Sequence, residues 1–306
     1  MKILSLFDGI SCGQLAIDRI GIKNYTYYAS EIDKYAIQIA KKNFPNTIHL
    51  GDVTSISLGN LPKIDLLIGG SPCQGFSFAG KQLAFDDPRS QLFFEYVRLL
   101  KELKPKYFLL ENVRMKKEYL DIITKYLGVE PVLINSSLFS AQNRQRYYWT
   151  NIPFNKNIID KGIVLKDILE EGFNTERDKS HCLDANYYKG SSVENYKKKS
   201  RRQMVFESPK QVGIATDING HDILKRVYSP EGKSPTINTM NGGNREPKVA
   251  IDDIHWRKLT PLECERLQTV PDNYTEGVSN TQRYKMLGNG WTVDVIAHIF
   301  NNLIKE

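Results

Sequence analysis

Through the first half of the chain, brief apolar runs alternate with longer stretches in which apolar residues recur every three or four positions. Brief runs rich in branched and aromatic side chains fit strands, and the three-to-four spacing fits helices with one buried face. On that pattern residues 2–6, 25–30, 47–50, 64–69, 107–110 and 131–136 are predicted strands, and 33–43 and 91–103 are predicted helices. Such alternation predicts an α/β domain with a doubly wound, mostly parallel sheet, whose ligands bind beyond the carboxyl ends of the strands.

From 155 to 253 the pattern breaks into short polar pieces rich in turn residues, such as Asn186-Tyr187-Tyr188-Lys189-Gly190 and Asn241-Gly242-Gly243-Asn244. This marks a small inserted domain, 155–253, within a main domain made of 1–154 and 254–306. Helical signals return at Thr260-Pro261-Leu262-Glu263, which offers an N-cap, a first-turn proline and a capping-box glutamate. Residues 291–304 read as a last amphipathic helix whose apolar face needs the main domain's core to cover it.

At 306 residues and 41% hydrophobic content, the chain can bury one substantial core and still carry the insert. Its first residues read as a strand entering a turn, not as a secretion signal, and no apolar run approaches bilayer-spanning length. A cytoplasmic protein with no membrane partner, and a monomer, is therefore expected. Cys12, Cys73, Cys182 and Cys264 lie far apart with no Cys-x-x-Cys pair, so neither a structural metal nor a disulfide framework is expected. A formal net charge of +7 favours a polyanionic partner. The run containing Lys197, Lys198 and Lys199, beside Tyr187, Tyr188 and Tyr196, is read as tracking phosphates, the plainer alternative being a solvated face.

Pro72-Cys73-Gln74 closes the apolar run 64–71, so a buried strand delivers a thiol to its tip. As a thiolate, Cys73 is a candidate nucleophile that needs cationic neighbours or a helix N-terminus; otherwise it is a small core residue. The segment 74–89 that follows contains Gly75 and Gly80 and can close over a ligand, with Ser77 and Arg89 placed to touch phosphates. Glu111 ends the next strand beside Cys73, in a partly desolvated position suited to a general acid. Arg144 and Arg146 precede Tyr147-Tyr148-Trp149; alternate strand residues share a face, so both guanidiniums can hold the glutamate and a substrate and favour the thiolate.

The turn from Phe7 to Gly13 suits a ligand held by backbone amides and an aromatic face, but lacks the glycines of the dinucleotide fingerprint. Glu31 and Asp52 stand at later strand ends, where one can accept from ribose hydroxyls and the other from an adenine amine, with Ile32 as the purine's apolar face. Helix caps or turn braces are the alternative roles for both acids.

In this order and spacing, Phe7-Asp8-Gly9, Glu31, Gly51-Asp52-Val53, Pro72-Cys73-Gln74-Gly75-Phe76-Ser77, Glu111-Asn112-Val113, Gln142-Asn143-Arg144-Gln145-Arg146, Arg266-Leu267-Gln268 and Gly288-Asn289-Gly290-Trp291 resemble the motifs of the DNA (cytosine-5)-methyltransferases over nearly the whole chain. The resemblance implies the S-adenosylmethionine-dependent methyltransferase fold. It implies that methyl donor bound by Phe7, Gly9, Ile10, Glu31, Ile32, Asp52, Val53, Pro72 and Leu92, with Asn289 and Trp291 closing the pocket. It implies Cys73 as nucleophile toward C6 of a cytosine flipped out of double-stranded DNA, Glu111 as acid, Arg146 steadying it, and Arg144 aiding base binding. The insert becomes a target-recognition domain with Thr236 near the target nucleotide and Gln74 touching DNA; a cognate restriction endonuclease is left open. Relatives acting on tRNA and catalytically silent nucleic-acid binders are the rival readings. The insert favours DNA, and intact Cys73, Glu111, Arg144 and Arg146 favour catalysis.

Overall fold

A computed structural model describes residues 1–71, 88–170, 173–175, 177–189, 196, 202–207, 211–214, 226–228 and 255–304. Pro72, Cys73, Gln74, Ser77, Lys197, Lys198, Lys199 and Thr236 lie outside the described residues, and Arg89 is described by its backbone alone.

The main sheet contains β1 (Lys2–Leu6), β2 (Thr26–Ser30), β3 (Ile48–Gly51), β4 (Leu66–Gly69), β5 (Tyr107–Val113), β6 (Val132–Asn135) and β7 (Gln145–Thr150), in the order β3-β2-β1-β4-β5-β7-β6. The first five strands run parallel, and β7 lies antiparallel between β5 and β6. The chain works outward from β1 to β3, then returns to add β4 on the other side of β1. That reversal opens a crevice at the carboxyl ends of β1 and β4.

Period-two alternation sorts the sheet's side chains into two buried layers. Ile3, Ile68, Leu109 and Tyr148 face one layer, with α1 (Cys12–Arg19) and α2 (Lys34–Asn43) packed on it. Leu4, Leu67, Leu110 and Trp149 face the other, covered by α3 (Pro88–Leu103) and α4 (Lys117–Leu127). Covering both faces explains why β1 and β4 read as continuous apolar runs.

The C-terminal helices α5 (Pro261–Leu267), α6 (Asn280–Asn289) and α7 (Val293–Phe300) join the first layer. The capping box forms as read: Thr260 Oγ1 accepts from the Glu263 amide at 3.2 Å, and Glu263 Oε2 from the Thr260 amide at 2.8 Å. α7 packs on α1, with Arg19 paired to Asp294. The predicted helix over 291–304 is shorter than its periodicity announced. Thr292 is extended and bonded through its hydroxyl to Gln268 and Ser136, which leaves Trp291 ahead of the helix, while Asn301–Ile304 tightens into a 3₁₀ turn.

Leu165, Ile168, Leu183, Tyr187 and Val205 bury in the same cluster as Ile3 and Val293, so part of the stretch read as an insert adds to the main core. β8 (Phe173–Asn174) and β12 (His255–Lys258) flank β9 (Met204–Glu207), and β10 (Gln211–Ile214) pairs with β11 (Arg226–Tyr228). Among the described residues, no helix is long and apolar enough to cross a membrane.

Candidate active site

At the end of β1 the backbone turns sharply: Phe7, Gly9 and Ser11 all take left-handed conformations, with φ of 57°, 61° and 60°. For an aromatic residue such as Phe7 that region is strained, a condition found at ligand clamps. Glu31 braces the turn. Its Oε2 accepts from the Gly9 amide at 2.8 Å, and its Oε1 from the amides of Ile32 and Asp33, each at 2.8 Å. A carboxylate has about four lone-pair sites, so acceptor capacity remains. Ile32 beside it is 73% exposed, a large apolar group with nothing covering it. Asp52 caps the short turn Val53–Ser55, accepting through Oδ1 from the Thr54 amide at 2.9 Å and hydroxyl at 2.8 Å. Those donors, the amide first, hold its carboxyl below the usual carboxylate range. Both acids thus serve as braces, and each keeps lone pairs beyond those its bonds use. An exposed apolar face between fixed carboxylates fits an adenosine moiety, and so the methyl donor.

Ile10 departs from the expectation for its side chain. It is 1% exposed in the first core layer, in the turn ahead of α1, and its carbonyl accepts from Tyr274 Oη at 2.7 Å. Val53 is likewise buried, and it shares the second layer with Phe7 and Leu92. Asn289 ends α6 and is exposed.

Asp8 lies under the same turn. Its Oδ1 accepts from Tyr27 Oη at 2.8 Å, its Oδ2 accepts from Ser11 Oγ at 2.5 Å, and Ser5 and Glu31 also face it. Burial, only partly offset by these hydroxyls, pushes its carboxyl up to about 6. The folded protein therefore favours the neutral acid. Asp8's contribution is complete below the ordinary carboxyl range and is lost as pH rises through about 6. At about 1.4 kcal/mol per pH decade, that loss is on the order of 3 kcal/mol. Asp8→Asn should thus raise Tm at pH 7.5 relative to the parent and narrow that difference toward pH 4.5. Calorimetry finding an equal difference at both ends would remove Asp8 from the pH dependence.

The second half of the crevice centres on Glu111. Register places Arg146 opposite Val113 and Tyr148 opposite Glu111, so Arg146 is the diagonal neighbour of Glu111 on the same face. Arg146 Nε lies 3.1 Å from Glu111 Oε1, with both side chains largely buried. Trp291 Nε1 donates to Glu111 Oε2 at 3.2 Å. On the opposite face, Asn112 Nδ2 donates to Ser71 Oγ at 3.4 Å, tying β5 to the residue just before Pro72-Cys73. Gly70 makes room for this arrangement, since a Cβ there would sit 3.0 Å from Trp291 Nε1 and 3.1 Å from Glu111 Oε2.

Arg144 is buried and held by several segments of the chain. It lies one residue ahead of β7, and its guanidinium shares with that of Arg146 the side that carries Cys182. Its Nη1 donates to the carbonyls of Leu183 at 3.1 Å and Gly288 at 3.2 Å, and its Nη2 to that of Gly290 at 3.0 Å. It clamps the C-terminal glycine segment to residues 182–183. Both arginines reach Cys182 Sγ, Arg144 at 3.4 Å and Arg146 at 3.8 Å. Burial alone would raise the Cys182 thiol, but the two guanidinium charges outweigh it and bring the thiol below its usual value.

Gln142 and Gln268 are fully buried positioning residues that sequence reasoning quoted only within motifs. Gln142 Nε2 donates to Gln268 Oε1 at 3.2 Å, and its Oε1 accepts from the Leu183 amide at 3.0 Å. Gln268 Nε2 donates to the Leu287 and Gly290 carbonyls at 2.6 and 3.2 Å. Among the described residues, no group of His, Cys, Asp and Glu is arranged to hold a metal ion.

A family model for C-5 cytosine-specific DNA methylases matches residues 1–305. The orphan methyltransferase M.SPBetaI of Bacillus phage SPbeta is 30% identical, over 99% of this chain and 97% of that protein. The type II methyltransferase M1.ScrFI of Lactococcus lactis subsp. cremoris is 32% identical, over 99% of this chain and 78% of that protein. The solved structure of the Entamoeba histolytica methyltransferase EhMeth superposes with a TM-score of 0.67 at 19% identity, covering 99% of this chain and 98% of that one, a likeness of fold. The family's reaction is the S-adenosylmethionine-dependent methylation of cytosine C5 in DNA, and the chain belongs to the C-5 cytosine-specific DNA methylases.

Proposed function

We propose that Cys73, placed by the sequence two residues beyond Ser71 at the tip of β4, adds as a thiolate to C6 of a cytosine turned out of a DNA duplex. The observation that carries this reading is the Glu111–Arg146 pair at 3.1 Å, largely buried at the carboxyl end of β5, next to the strand that leads into Cys73. Forming the sulfur–C6 bond moves ring electrons toward C5 and N3, converting a poor carbon nucleophile into an enamine. Glu111 meets the pyrimidine edge there, donating a proton at N3 and accepting from the exocyclic amine, while Arg146 fixes its orientation. Once C5 is methylated, loss of the C5 proton returns electrons to the ring and expels the Cys73 sulfur.

S-adenosylmethionine supplies the electrophilic methyl group when bound. Glu31, Ile32, Asp52 and the main chain at Phe7, Gly9 and Ile10 would hold its nucleoside, with Val53, Pro72, Leu92, Asn289 and Trp291 around it. Arg144 acts as a clamp on the segment carrying Asn289 and Trp291 and not on the base. C6 is inaccessible inside a duplex, so the base is flipped at a cost of a few kcal/mol. Gln74, Ser77 and Arg89 from the loop, and Thr236 and Lys197 to Lys199 from the target-recognition region 155–253, are assigned to DNA.

Bisulfite sequencing of DNA from cells expressing the protein tests this. Cytosines protected in one sequence context are expected; full conversion of the DNA, with protected cytosines only in tRNA, would replace DNA by RNA as the substrate.

A further inference from the structure

We infer that Trp291 is a positioning residue for the base-binding carboxyl: its indole N–H fixes Glu111 Oε2 while Arg146 fixes Oε1. The inference rests on the reading of Glu111 as the group that meets the base.

A glutamate carboxyl turns easily about its last bond, where the torsion is broad and two-fold. One contact, the ion pair to Arg146 Nε, sets where Oε1 lies but leaves the carboxyl plane free to swing. A second donor on the other oxygen fixes the plane. Trp291 Nε1 is that donor, at 3.2 Å from Oε2. An indole N–H is a neutral donor and never an acceptor, so it orients the carboxyl without taking up its proton. One oxygen keeps a lone pair to accept from the exocyclic amine, and the other carries the proton for N3.

The ring is held from several sides. A Cβ at Gly70 would stand 3.0 Å from Trp291 Nε1, so glycine there admits the indole, whose Cζ3 edge lies at ordinary contact distance, 3.4 Å, from where a Cβ at Gly13 on α1 would be. The preceding residue is anchored through its carbonyl by Arg144 and Gln268, and the following one by its hydroxyl to Gln268 and Ser136. Trp291 therefore stands between the start of α1, which follows the turn read as the cofactor site, and the carboxyl read as the base site. Ring packing alone does not require the nitrogen to face Glu111; the observed orientation does.

The test is a double-mutant cycle of Trp291→Phe and Glu111→Gln, read as single-turnover methylation rates together with binding of S-adenosylmethionine and duplex. Phenylalanine keeps most of the ring and deletes the N–H. Trp291→Phe should slow the single-turnover rate roughly 10-fold at saturating S-adenosylmethionine and duplex, as for loss of one hydrogen bond to the group that meets the base. In the Glu111→Gln background the Arg146 charge claims the amide oxygen, so the NH₂ group faces Trp291 and no acceptor remains for the indole. There Trp291→Phe should cost less than about twofold, since residues acting through one another are not additive. Equal losses in both backgrounds, or a loss of cofactor binding that accounts for the whole rate effect, would overturn the inference. If Trp291→Phe does not fold, the ¹⁵N–¹H resonance of the Trp291 indole decides instead: it should move on Glu111→Gln without ligand, and an unmoved resonance overturns the inference. A Glu111→Gln rate equal to the parent's would overturn the reading of Glu111 itself, and the inference with it.

Discussion

Cys73→Ser is expected to abolish methyl transfer while leaving duplex affinity within about twofold. A thiol near neutral pH yields a usable fraction of thiolate, and cationic surroundings raise that fraction, whereas a serine hydroxyl stays protonated. Without the C6 adduct, C5 has no enamine to draw on, so a loss of about 10⁴-fold or more is expected, in line with removal of a covalent nucleophile elsewhere. Binding draws on phosphate contacts and groove readout that do not involve the sulfur. A duplex carrying 5-fluorocytosine sharpens the measurement: fluorine at C5 leaves no proton to remove, so the expelling step stops and the protein stays attached. The parent should give a denaturation-resistant adduct that depends on the methyl donor, and the serine variant none. Turnover retained by Cys73→Ser would refute the nucleophile.

The sheet was legible because its chemistry is local. β1, β4 and β5 are apolar on both faces, as strands covered by helices must be, and the residues at their ends are the ones that line the crevice. Arg146 was legible for the same reason: strand alternation and register put it diagonal to Glu111. Arg144 keeps to the side of Arg146, both reaching Cys182, but its further bonds go to carbonyls of distant segments, which alternation does not announce. Trp291 was missed for a related reason. Its spacing suited the last helix, but the Thr292 bonds to Gln268 and Ser136 start that helix later, and the indole went to Glu111. Cys182 lies in a polar stretch with no period, and only tertiary structure brings two arginines to it. Asp52 takes up the capping role that its place at a strand end suggested, accepting from Thr54. What sequence missed was long-range pairing among polar side chains, which no local pattern encodes.

Glu111→Gln should lower the single-turnover rate by about 10²-fold or more, the usual cost of losing a positioned acid. The substitution keeps the side chain's shape and removes two things. Its amide cannot deliver a proton to N3 at neutral pH. It also presents one oxygen and one NH₂ group to a guanidinium charge, at Arg146 Nε, and to a donor, Trp291 Nε1, that had each faced an oxygen. Arg146 is left largely buried beside a neutral partner, and removing one member of a buried pair costs about 3–5 kcal/mol when the remaining charge finds no other partner. Here Arg146 retains Cys182 and the Gln145 carbonyl, at 3.8 and 2.8 Å, so the loss in stability should fall below that range. The two effects separate experimentally. Denaturant unfolding reports the pair, whereas the rate measured well below Tm, at saturating donor and duplex, reports the acid. The 5-fluorocytosine adduct should still form with Glu111→Gln, more slowly by the same factor, because the sulfur is intact. An unchanged rate of adduct formation would place Glu111 outside the chemical step and leave it as a brace for Arg146 alone.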